Sequence, residues 1–130
     1  MKKKYNFKDA VKIVEKLRKK CPWDSKQTNE SILKYLKEEV KEFIKEVKDK
    51  DYEGMKEELG DILLQVLFHS QIMSEKNIFT IDDVINNLCK KMIRRHPHVF
   101  GNKKLEKDKD IVKSWEEIKK KEKYLKNEII

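Results

Sequence analysis

The stretch that decides the fold is EEVKEFIKEVKDKDYEGMKEELGD, which runs from Glu38 to Asp61. It joins two amphipathic segments across a short polar turn. It also carries two carboxylate pairs with the same spacing, Glu39 with Glu42 and Glu58 with Asp61. Residues three apart lie on the same face of an α-helix. Each pair therefore predicts two carboxylates that point the same way from their helix.

The two pairs are equally distant from a turn centred near residue 50. In an antiparallel helix pair, Glu42 then faces Glu58. Glu39 faces Asp61 one turn further on, roughly 16 Å from the turn at the usual helical rise. Partly buried carboxylates repel one another and are costly to desolvate without a cation. Mg²⁺ binds carboxylates and takes its remaining ligands from waters and phosphates. The pattern predicts a metal site with four ligands, Glu39, Glu42, Glu58 and Asp61.

Two other interpretations of these acids are possible. Either pair alone is typical of a solvated helix face, but the matched positions of two pairs favour a metal site. A ferritin-like di-iron centre needs Glu-x-x-His on its helices. The residues three before the histidines are Val66, Ile93 and Arg95, so that signature is absent.

The rest of the chain predicts an all-α fold. Its 130 residues suit a single domain over 1–130, only three Gly and two Pro interrupt it, and 43% of the residues are charged. Apolar residues recur at helical spacing, and strand signals are nearly absent. We expect a bundle of about five helices. The first spans about 7–19, the second runs from a cap at Thr28 or Asn29 to 48, and the third spans 52–76. The fourth runs from a Thr80–Asp83 capping box to 95, and the fifth spans 110–124 with Asp110 as its cap.

The net charge of +8 is compatible with a Lys-rich solvated surface, with nucleic-acid binding or with attraction of a small polyanion such as a nucleoside triphosphate. Two distant cysteines do not suggest a disulfide framework. No apolar run is long enough for a membrane span, and the basic N-terminus lacks a signal-peptide core. We expect a cytoplasmic protein with no membrane partner and no specific nucleic-acid partner.

The third helix is apolar on two sides. One side carries Leu59, Ile62, Leu63, Val66 and Leu67, and the other carries Leu64, Phe68 and Ile72. A helix that is apolar nearly all round is usually buried, and a small domain has few helices to cover both sides. We expect the face of Leu64, Phe68 and Ile72 to pack against a second subunit, giving a homodimer.

Four blocks of the sequence together resemble the MazG family of nucleoside triphosphate pyrophosphohydrolases. They are LRKKCPWDSKQT, the acidic pair EEVKEF with EELGDILLQVLF, KKMIRRHPHVFG and SWEEIKKKEK. The resemblance covers about residues 15–123 and is most similar to the first domain of tandem family members. It implies an all-α dimer that cleaves nucleoside triphosphates to monophosphate and pyrophosphate by water attack at the α-phosphorus. It also implies that Mg²⁺ is the cofactor, for which Mn²⁺ can substitute.

The resemblance also implies residue roles. The four acids are the metal ligands. Our mechanistic hypothesis adds that Glu38 or Glu39 accepts the proton of the attacking water, and the sequence does not choose between them. The implied substrate contacts, taken together with the cationic end of the fourth helix, are Lys91, Arg94, Arg95, Trp115 and Lys119. From the residues alone, that cationic end equally complements the helix dipole, and Trp115 equally belongs to a core. Trp23 and Asp24 either anchor the second helix or line a pocket.

Two rival functions remain open at this point. A catalytically silent regulatory module would keep the fold without turnover. A basic helical nucleic-acid-binding protein would show affinity that falls steeply with salt, but it leaves the acid cluster unexplained.

Overall fold

The computed structural model describes residues 4–129 of the chain, with side chains through residue 126. Within that range the protein is all-helical and contains no β-strand, as the sequence predicts. The α-helices are α1 (Phe7–Lys20), α2 (Leu33–Lys48), α3 (Tyr52–Glu75), α4 (Ile81–Arg95), α5 (Pro97–Phe100) and α6 (Asp108–Ile129), and a short 3-10 helix spans Asp24–Lys26. Five of these correspond to the predicted helices. No described helix is long and apolar enough to cross a membrane.

Helix α1 begins and ends close to the predicted positions. Asn6 and Asp9 form a reciprocal capping box, in which each backbone N–H donates to the other side chain at 2.9 and 3.0 Å. Its last turn carries three basic residues, which complement the negative end of the helix dipole.

Helix α2 begins later than predicted. Thr28 and Ser31 exchange hydrogen bonds, with the N–H of Thr28 donating to the Ser31 hydroxyl at 2.8 Å and the N–H of Ser31 to the Thr28 hydroxyl at 3.1 Å. They close a turn ahead of the helix, which starts only at Leu33. Asn29, the other expected cap, directs its amide to His69 instead.

A three-residue turn joins α2 to α3, as predicted. Lys50 has a positive φ of 56°, and the carboxylate of Asp51 accepts from the N–H of Gly54 at 2.9 Å to cap α3. Two helices joined by so short a turn pack as an antiparallel pair. This pair carries the acidic residues singled out in the sequence.

The chain divides into two compact units, with the boundary between Ile81 and Asp82. The first unit holds α1, the 3-10 helix, α2 and α3. Its core consists of Val14, Ile32, Leu67, Phe68 and Ile72, with Ala10, Val11, Tyr35 and Ile81 packed against it.

The predicted choice of dimer face on α3 is wrong. Phe68 and Ile72 are only 5% and 3% exposed, because α1 covers that side of α3 within the same chain through Val14. The opposite side is the more open one: Leu59 is 51% exposed and Leu63 41%. Leu67 on that side is buried, and Leu64 on the covered side is 38% exposed.

The second unit contains α4 from Asp82 onward, α5 and α6. Helix α4 ends at Arg95 because His96 precedes Pro97, and the residue before a proline disfavours helical geometry. The single turn of α5 then starts on that proline and was not predicted. Helix α6 begins at Asp108, so the expected cap Asp110 lies in its first turn.

Candidate metal centre

Three carboxylates of the α2–α3 pair meet at one point. Glu39 comes from α2, and Glu58 and Asp61 come from α3. One oxygen from each lies within 4.8 Å of the others. Oxygens that bind the same Mg²⁺ at about 2.1 Å can be up to about 4.2 Å apart. A small inward adjustment would therefore let the group hold a divalent cation.

The electrostatics of Glu58 fit a cation at this point. A carboxyl–carboxyl hydrogen bond with Glu39, burial, and the charges of Glu39, Asp61 and Glu42 together raise the pKa of Glu58 to about 7. Its Oε2 atom is buried and has no hydrogen-bond partner. A buried carboxylate oxygen without a partner is costly, and a divalent cation would satisfy it. The residues present therefore fit the predicted metal.

The carboxylate contacts differ in part from the prediction. Glu39 lies near Asp61, as predicted, and it also contacts Glu58, which was expected to face Glu42. Three residues advance a helix by less than one full turn, which rotates Glu42 by about 60° from Glu39. Glu42 is exposed and stands outside the three-residue group, although its charge still acts on Glu58. Glu38 is also exposed and outside the group, so the roles of both residues stay predictions.

A pocket of about 210 Å³ lies next to the carboxylate group, and Glu39 belongs to both. On one side Trp23 meets Tyr35 edge-on, with ring centroids 5.8 Å apart. The sequence left open whether Trp23 and Asp24 line a pocket, and the structure places them in this one. The full lining comprises Trp23, Asp24, Ile32, Tyr35, Glu39, Leu64, Gln65 and Phe68. Sequence patterns gave no signal for Gln65, because an isolated glutamine in an apolar helix has several possible roles.

Arg18 fixes the segment that carries Trp23. Its guanidinium donates to the backbone oxygens of Asp24 and Gln27 at 2.6 and 2.9 Å and binds the Glu75 carboxylate through two nitrogens at 2.7 and 2.9 Å. It also lies over the ring of Phe68, 5.6 Å from the centroid. The hydrogen bond from Arg18 lowers the pKa of Glu75. Sequence reasoning missed this anchor, for which the only signal is a single arginine among lysines.

His69 and Asn29 form a second polar contact in the same unit. The Asn29 amide nitrogen lies 2.8 Å from Nδ1 of His69. Burial lowers the pKa of His69, and the charge of Glu30 opposes this shift without cancelling it. The lowered pKa favours the neutral ring. Asn29 is thereby diverted from the helix cap that the sequence predicted for it.

Three of the predicted substrate-binding residues are brought together in the second unit. Arg95 binds the carboxylate of Glu122 at 3.1 Å, and Arg94 binds it at 3.0 Å. The guanidinium of Arg95 lies over the ring of Trp115, 5.4 Å from the centroid. These ion pairs lower the pKa of Glu122, with Arg95 as the largest cause.

The other two predicted substrate contacts do not join this cluster. Lys91 is half-buried on α4, and Lys119 is exposed on α6. Phosphate contacts for the five residues therefore stay predictions.

The fold and the carboxylate site define a class of all-helical proteins with a group of carboxylates, suited to a metal ion, on an antiparallel helix pair. Residues 27–100 match the model of the MazG nucleotide pyrophosphohydrolase domain. The chain belongs to this family, as its sequence blocks indicate.

Relatives support the assignment over most of the chain. A Thermotoga maritima protein named nucleoside triphosphate pyrophosphohydrolase/pyrophosphatase MazG is 52% identical over 90% of this chain and 45% of its own length. A Mycolicibacterium smegmatis nucleoside triphosphate pyrophosphohydrolase is 41% identical over 91% of this chain and 37% of its own length. The chain thus spans less than half the length of these relatives.

A solved structure shares the fold. The crystal structure of a mazG-related protein from Thermotoga maritima superposes with a TM-score of 0.75 at 28% identity, covering 87% of this chain and 98% of that one.

Proposed function

We propose that this chain is a Mg²⁺-dependent nucleoside triphosphate pyrophosphohydrolase, which converts a nucleoside triphosphate and water to the monophosphate and pyrophosphate. The observation that carries the proposal is the compact group of Glu39, Glu58 and Asp61, with its unpartnered buried oxygen. Membership of the MazG family and the names of the relatives support the same activity.

The ligands for the metal would be these three carboxylates together with Glu42. When bound, Mg²⁺ supplies positive charge that orients a triphosphate and makes a nucleophilic water available at neutral pH. Mn²⁺ has the same preference for carboxylate and water oxygens. Glu58 must give up its proton to act as a ligand, because its pKa near 7 leaves it partly protonated in the neutral range.

The reaction forms one bond and breaks one. The water oxygen attacks the α-phosphorus, the bond from that phosphorus to the bridging oxygen breaks, and pyrophosphate leaves. Glu38 or Glu39 accepts the proton of the water; both lie on α2, next to each other in sequence. Cationic side chains stabilise the charge that develops on the phosphate oxygens, a role we propose for Lys91, Arg94, Arg95 and Lys119, with Trp115 in contact with the nucleotide.

The functional form is proposed to be a homodimer in which residues 1–130 act as one domain. The face that supports association is the exposed apolar side of the helix pair, which differs from the face expected from the sequence. It is formed by Val40, Ile44 and Val47 on α2 and Leu59, Leu63 and Val66 on α3, and we call it the open face. A cytoplasmic location stays a prediction from the sequence.

A pyrophosphate-release assay against the eight common ribo- and deoxyribonucleoside triphosphates, with and without Mg²⁺, tests the activity. Run in ¹⁸O-labelled water, the reaction should place the label in the monophosphate. Label in pyrophosphate would contradict attack at the α-phosphorus. Absence of Mg²⁺-dependent turnover with every nucleotide would leave the silent regulatory module as the better interpretation.

A further inference from the structure

Glu122 in the second unit has contacts that the proposed function does not use. It lies on α6 and accepts hydrogen bonds from two arginines at the end of α4. Arg94 donates through Nη2 at 3.0 Å, and Arg95 donates through Nε at 3.1 Å and through Nη2 at 3.3 Å. Two guanidinium groups share one carboxylate, so these three side chains keep one positive charge and still attract an anion.

The contacts with Glu122 leave donors of Arg95 for such an anion. A guanidinium group carries five N–H donors in a fixed planar arrangement. The bonds to Glu122 use the side edge of Arg95, which is formed by Nε and Nη2. The two N–H groups of Nη1 point away from that edge. A phosphate oxygen can therefore bind Arg95 at Nη1 while the carboxylate of Glu122 stays in place.

An aromatic contact fixes the plane of the Arg95 guanidinium. Its central carbon lies over the ring of Trp115, 5.4 Å from the centroid, within the range of a cation–π contact. His96 meets the Trp115 ring edge-on with centroids 4.9 Å apart, and Nδ1 of His96 lies 2.6 Å from the backbone oxygen of Met92. Trp115 thus supports one face of the guanidinium, and Glu122 supports one edge.

Glu122 is charged in the neutral range. The hydrogen bond from Arg95 is the largest cause that lowers its pKa; burial opposes the shift, and the hydrogen bond and charge of Arg94 add to it. The side chains of Arg95 and Glu122 are only 16% and 21% exposed. Solvent ions therefore screen this pair less than they would screen a pair on an open surface.

We propose that Glu122 is a positioning residue, which holds Arg95 against Trp115 so that the remaining donors of Arg95 face a phosphate of the substrate. The inference rests on the proposed function, in which Arg95 contacts a phosphate. In this role Glu122 touches no reacting atom and acts through Arg95. The alternative role is that of a competitor that phosphate must displace, but a carboxylate bound at the side edge leaves Nη1 open.

The experiment measures kcat and KM for pyrophosphate release with the best nucleotide, and the Kd of inorganic tripolyphosphate with Mg²⁺ by calorimetry. Glu122→Gln keeps the size of the side chain, removes its charge and turns an N–H group toward the arginines. It should weaken tripolyphosphate binding and lower kcat/KM by about 10- to 100-fold, because misplacing a group by about 1 Å can cost 100-fold. Tighter tripolyphosphate binding in this variant would indicate the competitor and overturn the proposal.

A double-mutant cycle tests whether Glu122 acts through Arg95. Arg95→Ala should itself weaken tripolyphosphate binding, and Glu122→Gln should add little in that background, because the effects of residues that act together are not additive. Arg95→Lys keeps the charge but loses the planar edge, so it should resemble Glu122→Gln rather than the wild type. Additive losses in the cycle would contradict the positioning role.

The fluorescence of Trp115 gives a readout that needs no phosphate. The chain has two tryptophans, so Trp115 is the single emitter in a Trp23→Phe background. Glu122→Gln should increase quenching of Trp115 by acrylamide, because Arg95 no longer stays over the ring. Unchanged quenching would show that Glu122 does not hold Arg95 there.

Two further variants complete the comparison. Glu117→Gln is the matched control, because it removes the same charge from an exposed position of the same helix. It should change neither the Kd nor the quenching. Glu122→Asp keeps the charge on a shorter side chain and should fall between the wild type and Glu122→Gln, and it tests the same contact if Glu122→Gln does not fold.

The outcomes separate the positioning role from the proposed activity. Absence of turnover, with tripolyphosphate binding that still weakens in Glu122→Gln, would overturn the activity and support the positioning role. Turnover with unchanged kcat, KM and Kd in Glu122→Gln would support the activity and overturn the positioning role. A lower Tm with an unchanged Kd would show that the ion pair only supports the fold, and a wild type that does not bind tripolyphosphate would also overturn the proposal.

Discussion

Glu39 on α2 and Glu58 on α3 form a carboxyl–carboxyl hydrogen bond, and this contact is the largest cause that raises the pKa of Glu58 to about 7. The bond requires a proton between the two groups. Without a cation the pair is protonated below about pH 7 and only partly protonated near neutral pH, and binding of a cation favours release of the proton. Metal binding and proton release are linked at this pair.

The first prediction concerns the stability of the metal-free protein. The folded-state pKa of Glu58 lies above its value in the unfolded chain, so the protonated pair stabilises the fold at low pH. That stabilisation is lost as pH rises through about 7. Thermal unfolding in EDTA should show a Tm that falls across this window, and Glu58→Gln should flatten the fall.

Glu46→Gln is the control for this experiment, because Glu46 also has a raised pKa caused by a carboxyl contact, in its case with Asp51, but lies outside the metal group. It should leave the fall of Tm near pH 7 in place. A Tm that is constant between about pH 5 and 8 in the wild type would contradict the shared proton.

The second prediction concerns the metal ligands. Asp61→Asn should lower kcat by about 100-fold or more, since loss of a residue that only orients a ligand already costs ~10–100-fold. It should also weaken Mg²⁺ binding, measured by calorimetry, while the helical circular dichroism is unchanged.

Two further variants serve as a control and as a test of the fourth metal ligand. Glu53→Gln removes a carboxylate from the first turn of the same helix, outside the metal group, and should leave kcat and Mg²⁺ affinity intact. Glu42→Gln should weaken Mg²⁺ binding if the residue joins the site when the ion binds. Wild-type activity of Asp61→Asn at limiting Mg²⁺ would refute the carboxylate site.

The sequence predicted the helices and the position of the acidic site because both follow from local patterns. Helical spacing of apolar residues located five helices, and the polar turn before Tyr52 located the antiparallel pair. The carboxylate spacing predicted the contact between α2 and α3. It did not predict that Glu39 meets both Glu58 and Asp61 while Glu42 stays outside, since Glu42 is rotated by about 60° from Glu39 around α2.

The features that could not be predicted from the sequence depend on contacts between residues far apart in the chain. Asn29 is a good helix cap by composition, yet its partner is His69. Arg18 reaches Glu75 at the other end of the unit, and Gln65 faces a pocket formed by three separate elements. Periodicity also could not decide which apolar side of α3 is covered, since both sides carry the same residue types.

The third prediction concerns the Arg18 anchor, whose side chain is 9% exposed. Arg18→Ala leaves the carbonyls of Asp24 and Gln27 without their donor and should lower the free energy of unfolding by about 1.5–3 kcal/mol. Glu75→Gln keeps a neutral acceptor for Arg18 and should cost less. Urea unfolding at pH 7 measures both, and equal stability of wild type and Arg18→Ala would contradict the anchor.

The ion pair between Arg18 and Glu75 should make the free energy of unfolding depend on pH in the opposite direction to Glu58. The folded-state pKa of Glu75 lies below its unfolded value, so the ion pair stabilises the fold above that unfolded value and the contribution is lost as pH falls. The difference in stability between wild type and Glu75→Gln should therefore shrink in acid.

The last prediction concerns association through the open face. Leu63 on α3 is 41% exposed, and burying its exposed part contributes a fraction of the roughly 1.5–3 kcal/mol gained when a whole apolar side chain is buried. Several such residues on one face of a small unit form an apolar patch that a second copy would cover by two-fold symmetry. Leu63→Glu places a charge in this contact and should give folded monomers, measured by sedimentation velocity at micromolar concentration.

The control for Leu63→Glu is Ile13→Glu, because Ile13 is a similarly exposed aliphatic residue, 49% exposed, but lies on α1. It should leave the dimer intact. Phe68→Glu should have a different effect from Leu63→Glu, because Phe68 is 5% exposed within the core of its own chain. The charge should unfold the unit rather than release folded monomers. A wild-type protein that sediments as a 15.7 kDa monomer and is fully active would show that the open face is not an interface between copies of this chain.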